Sequence, residues 1–386
     1  MKIRNWARLL LSAAPLLAGC SNFWDAPTTT TTTTTKLSSG YFYVLNQSTK
    51  QIAAYSIVSG TLTQVSGSPY TLSGAPYSIA IAPNGNFLYV GTAAGIFLYS
   101  VGSGGGLTLA NSSNVVSQDV ANTMQVDSTN SWLVEAGPNL AELIAIPISP
   151  STGQPTSTTE QITQLPAATI QQLAISPDNA HVFVALGSSG TEDITFAAAN
   201  STPFGSIANL AVKNSAGAAL SVAVDPSNRL LYIGETAATS GSNSGGLRVL
   251  NYNTLTELSG SPFASGGLAP YAITPTRYGS TAGSYVYVTN RTVSGSSTGS
   301  IAGFSIATSG TTYSLTALSS TVSAGTTPLA LTQDSTGNFM LVVNSGGSPD
   351  LGAYIFDTTT AGKLDSALTG STGTDPVLAS AIAAKP

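Results

Sequence analysis

Charge is scarce in this chain, 8% of 386 residues, so the few charged side chains able to do chemistry stand out. Glu235 and Arg291 have the complementary types. A carboxylate can take a proton or orient water, and a planar guanidinium can hold an oxyanion, a carboxylate or a phosphate. Glu135 is a second acid of the same standing. Tyr77 and Tyr271 offer ring faces for stacking, and Gln171, Asn290 and Asn344 offer neutral hydrogen-bonding groups. Asn46, Asn290 and Asn344 also suit tight turns, which is the commoner use of asparagine. The single histidine, His181, has no second histidine with which to share a metal, so no metal site and no cofactor are expected. Gly295-Ser296-Ser297-Thr298-Gly299 has the spelling of a nucleophile elbow, but it sits in a Ser/Gly loop without the strand-to-helix turn that chemistry requires. Asp127, Asp225 and Asp334 fall at turns, where aspartate accepts backbone N–H bonds; calcium would demand more clustered oxygens.

The elements that must position these residues are written as a repeat. Ala80-Ile81-Ala82-Pro83-Asn84-Gly85-Asn86-Phe87-Leu88-Tyr89-Val90 reads as a buried strand, a tight turn and a second strand rich in aromatic and β-branched residues. Val222 to Ile233 is its near twin. Second strands follow as 41–44, 87–90, 131–134, 181–184, 230–233, 285–288 and 339–342, at intervals of 46, 44, 50, 49, 55 and 54 residues. Self-similarity of this period with β patterning predicts an all-β fold, a seven-bladed β-propeller of four-stranded antiparallel blades. First strands begin near Tyr77, Thr123, Ile170, Leu220, Tyr271 and Pro328. The seventh copy is missing ahead of Tyr41 and reappears as Asp375 to Ala383, so the C-terminal strand is expected to complete the first blade and leave no long free edge. Third strands are legible in six blades; blade four offers only Ile194-Thr195-Phe196. Ser66-Gly67-Ser68-Pro69-Tyr70 recurs as Ser259-Gly260-Ser261-Pro262-Phe263, at equivalent outer edges.

In such a ring, inner-strand starts and second-strand ends meet on one face around the central channel. That rule gathers Tyr77, Gln171, Tyr271 and Asp375 with Asn46, Glu135, Glu235, Asn290, Arg291 and Asn344 at one mouth, and puts His181 on the opposite face.

Lys2, Arg4 and Arg8 precede a short apolar run, Leu9 to Leu17, that ends in Leu17-Ala18-Gly19-Cys20. The tetrapeptide resembles the bacterial lipobox, with Cys20 the lipidated first mature residue. The expected organisation is a signal peptide over 1–19, a threonine-rich tether over 20–39 that reaches about 60 Å when extended, and the propeller over 40–386. Membrane attachment through Cys20 places the protein in the cell envelope, at the outer membrane, as a monomer. Without the leader, nine bases face 17 acids. No basic patch survives, which disfavours nucleic acid as a partner.

Tyr287-Val288-Thr289-Asn290 spells the motif that names the YVTN repeats, and with Ala82 to Asn86 the array resembles the seven-bladed lactonase family, best known for hydrolysing 6-phosphogluconolactone. The resemblance spans residues 40–386. It implies a catalytic Glu just after a second strand, which Glu235 matches, preceded by an Arg-His pair at an inner-strand start. Ala219-Leu220 fills that position here. The resulting expectation is a non-catalytic binding module whose ligand is a polysaccharide, a peptide or another envelope protein. The alternative is a lactone hydrolase using Glu235 and Arg291.

Overall fold

A computed structural model describes residues 37–110, 115–138, 140–227, 229–239, 244–277, 285–319, 321–347, 349–370 and 378–386. The leader, Cys20, the threonine run and Asp375 lie outside the described residues. Among those described, no helix is long and apolar enough to cross a membrane.

Seven antiparallel sheets form the predicted propeller, each running from an inner strand through a second and third to an outer one. The inner strands are Ala379–Ala384 (blade one), Pro76–Ile81, Thr123–Val126, Gln172–Ile175, Ala219–Val224, Leu268–Pro275 and Pro328–Gln333 (blade seven). Blade one is closed as expected. Ala379–Ala384 pairs with Phe42–Asn46, from Phe42 opposite Ala384 to Asn46 opposite Ala379.

Side chains on second strands alternate between the two neighbouring blades, as a pleated strand requires. In blade two, Leu88 and Val90 join the apolar cluster shared with blade one, while Phe87 and Tyr89 join the one shared with blade three. Seven such clusters fill the seven junctions, so the core is a ring of interfaces with no single centre.

Tyrosines lock three junctions. Tyr43, Tyr89 and Tyr287 each cross to the next blade and donate a hydroxyl hydrogen bond to a glycine carbonyl in its outer turn: Gly105 at 2.9 Å, Gly153 at 2.7 Å and Gly362 at 2.5 Å. Gly153 has φ +69, and a Cβ there would stand 2.7 Å from the Phe87 ring. The turn thus demands glycine twice over, by conformation and by packing.

Two corrections to the sequence reading concern single blades. Blade three's second strand is Trp132–Ala136, and its register is one residue later than the spacing suggests, because Glu135 lies opposite Met124 where Val90 lies opposite Ile79. Blade four has a full third strand, Thr191–Phe196, paired with Phe204–Leu210. The recurring Ser-Gly-Ser-Pro motifs are also alike in three dimensions. Ser68 and Ser261 precede cis prolines, and their hydroxyls accept the N–H of Ala54 and Val249.

Candidate functional site

The inner strands surround an open central channel of about 790 Å³. Its mouth is built by one repeated irregularity. In blades one, two, five, six and seven the ladder between first and second strands shifts register at the inner-strand start, leaving Ser380, Tyr77, Leu220, Tyr271 and Leu329 unpaired. A β-bulge turns such a residue away from the sheet, and here all five residues line the channel. The corresponding positions of blades three and four hold Asn122 and Gln171, which line it too.

Of the residues expected at the mouth, Tyr77, Gln171 and Tyr271 line the channel; Asn46, Glu135, Glu235, Asn290, Arg291 and Asn344 do not. Most of these second-strand ends are buried beside the mouth and held by their own surroundings. Asn290 donates to the Ser265 carbonyl and the Ser300 hydroxyl and accepts from the Ser265 hydroxyl. Asn344 donates to the Pro349 carbonyl. Asn290 thus ties its strand to Ser265 and to the neighbouring strand, while Asn344 braces the turn that follows it.

Glu235 is buried within an ion-pair network. Its Oε1 lies 3.2 Å from Arg248 Nη1, and both its oxygens accept the backbone N–H of Lys213. Arg248 also pairs with Glu257, which in turn meets Lys213 Nζ. Burial raises the Glu235 pKa, and Arg248 opposes that rise. Its oxygens are thus committed to Arg248 and to the Lys213 backbone. Neither Arg291 nor His181 stands against it among the described ion pairs and hydrogen bonds.

Arg291 is placed differently. Its guanidinium carbon lies 3.7 Å from the centroid of the Tyr271 ring, a cation–π contact at the channel rim. Its Nε is buried without a hydrogen-bond partner, and no described carboxylate pairs with it. Among the described residues, the only charged side chain lining the channel itself is Arg277.

The remaining candidates resolve as packing. His181 Nδ1 lies 2.6 Å from Asp193 Oδ1, and its ring stacks on Phe183 at 5.6 Å, away from the channel. Asp127 accepts the N–H groups of Ser131 and Trp132 at 2.6 Å, and Asp334 accepts that of Phe339 at 2.7 Å. Asp225 accepts the Ser227 N–H at 2.9 Å and also takes a bidentate fork from Arg229 at 2.8 and 2.9 Å. No group of three metal-ligating side chains converges among the described residues.

The sequence reading missed Asn122, Ser380, Leu220 and Leu329 as mouth residues. The signal was present in the alignment of the repeats: each occupies the place of Tyr77, five residues before the turn.

No family model matches the sequence, and no curated protein is significantly similar to it. Solved structures do share the fold. A provisionally assigned 6-phosphogluconolactonase of Bacteroides fragilis is 12% identical, with a TM-score of 0.65 over 89% of this chain and 97% of that one. The periplasmic gluconolactonase of Pseudomonas aeruginosa is 15% identical, with a TM-score of 0.62 over 91% of this chain and 100% of that one. A protein from Lactobacillus plantarum is 18% identical, with a TM-score of 0.63 over 90% and 99%. At these identities the likeness defines the architecture, the seven-bladed propeller of the lactonase-like structures.

Proposed function

We propose that this protein is a binding propeller whose channel mouth takes an acidic polysaccharide, and that it performs no hydrolysis. The observation that carries the reading is Arg291, a cation with no acid partner among the described residues, set over the Tyr271 ring at the rim. A guanidinium held by a ring keeps its fork pre-ordered for a carboxylate. Tyr77 and Tyr271 supply apolar ring surface for sugar faces, and the amides of Asn122 and Gln171 supply donors and acceptors for hydroxyls. The channel offers no described carboxylate or imidazole side chain to act as a base. Glu235, the residue the lactonase resemblance singles out, is committed to Arg248 and Lys213.

The shared fold with a gluconolactonase favours lactone hydrolysis as the second reading, with Glu235 and Arg291 as its catalytic groups. One experiment separates the two. The purified protein is titrated with oligouronates and with neutral oligosaccharides, and assayed on sugar lactones. The first reading expects oligouronate binding that weakens on the order of 10-fold or more in Arg291→Gln, the worth of one charge-assisted hydrogen bond or better, and no turnover. Lactone turnover lost in Glu235→Gln overturns it. Peptide binding without sugar binding overturns the ligand class.

The envelope location also belongs to this proposal. The lipobox-like segment at Cys20 supports export and lipid anchoring, and a periplasmic protein shares the fold. Radiolabelled palmitate incorporated in the native protein and lost in Cys20→Ser is the expected outcome.

A further inference from the structure

Among the described residues, one buried carboxylate has neither an ion pair nor a hydrogen bond. Glu135 is fully buried, and neither of its carboxylate oxygens has a hydrogen-bond partner. Its position is anomalous within the repeat. Opposite the same inner-strand residue, blades two, five, six and seven place Val90, Ile233, Val288 and Val342. Like Leu133, two residues earlier on the strand, Glu135 points from blade three toward blade two, into the junction that holds the apolar cluster shared by these blades.

Two further acids stand at that junction. Asp119, on the link from blade two to blade three, accepts the Ser117 hydroxyl at 2.6 Å; the same hydroxyl lies 3.3 Å from Oε1 of Glu160, on the approach to blade three's outer strand. Both act on Glu135 as like charges, and none of the ion pairs among the described residues gives it a cation. An unpaired carboxylate in such a place is costly, and protonation is the cheapest remedy.

We propose that Glu135, with Asp119 and Glu160, is a proton-sensing joint between blades two and three, closed when Glu135 carries its proton and loosened when it loses it. Burial first, then Asp119 and Glu160, pushes the Glu135 carboxyl up to about 8, which puts the change near neutrality. The joint leads directly to the mouth. Ala121, two residues after Asp119, accepts the Ser78 hydroxyl at 2.6 Å across the same junction, and its neighbours Tyr77 and Asn122 line the channel.

Because the folded pKa is raised, the folded state holds a proton that the unfolded chain releases at the ordinary carboxylate pKa. Stability is therefore greatest below that range and falls as pH rises to about 8, flattening beyond it. The test is thermal unfolding of the purified full-length chain from about pH 5 to about pH 9. Glu135→Gln, a neutral replacement of the same shape, is expected to lose this part of the decline and to melt above the native protein at the alkaline end. Asp119→Asn removes one like charge, so its decline should be smaller and end at lower pH; this arm decides the matter should Glu135→Gln fail to fold. Identical pH profiles in the native protein and both variants overturn the proposal. So does calcium, if it raises the native melting temperature at alkaline pH but not that of Glu135→Gln, because the neutralising species would then be a cation.

Discussion

Glu235 and Arg291 illustrate how little residue type alone determines a role. Both are rare charges at the ends of adjacent blades' second strands, yet one is tied into a network and the other is not. Removing a partner from a buried pair strands the other charge. Glu235→Ala should therefore cost about 3 kcal/mol, the lower end for such pairs because Arg248 keeps Glu257. Urea denaturation measures this directly. The double variant Glu235→Leu/Arg248→Met should recover much of the loss, since an apolar pair of similar volume avoids desolvation altogether. The same logic separates Glu135 from its namesake: no described ion pair offsets its charge, and burial with Asp119 and Glu160 favours its protonated form.

At the scale of strands and turns, the tyrosine bridges between blades are the connections most open to test. Tyr89→Phe removes the bond to Gly153 while leaving the ring, and about 1 kcal/mol of stability should go with it. Gly153→Ala should cost more, because the added methyl group meets the Phe87 ring in a backbone conformation that alanine dislikes. Denaturant midpoints of the two variants would rank them. Elements of this kind mark the limits of legibility. Second strands announced themselves through Pro/Asn/Gly turns followed by aromatic runs, so six of seven were read in register. Blade three departs from the spacing because a glutamate, Glu135, stands where the repeat has valine or isoleucine, so alignment on Val134 falls one residue short. Blade four's third strand looked polar in Thr191-Glu192-Asp193. Its acids are nonetheless buried, with Glu192 held by Asn209 and Asp193 by His181, partners on the two flanking strands. The mouth was half legible for a related reason. Tyr77, Gln171 and Tyr271 follow from the rule that inner strands start there, whereas a bulge position accepts leucine, serine or asparagine equally and leaves no compositional mark.

For the whole ring, closure is the property that no single blade possesses. Seven junction clusters share the burial, and each blade leans on two neighbours. Deleting residues 375–386 should open the ring at blade one and expose the Phe42–Asn46 edge. A fall in melting temperature on the order of 10 °C, or loss of a single cooperative transition, is expected in calorimetry. An unchanged transition would mean that the blades are independent.

The pairing of Asn46 with Ala379 also bears on how the molecule is made. A chain emerging from the ribosome holds its earliest strand for hundreds of residues before the matching segment arrives. Until then an aromatic edge stays sticky, and any neighbouring nascent copy offers the same missing piece. Swapped dimers, in which one copy's tail completes another's ring, are thus the misassembly this architecture invites when expression is crowded.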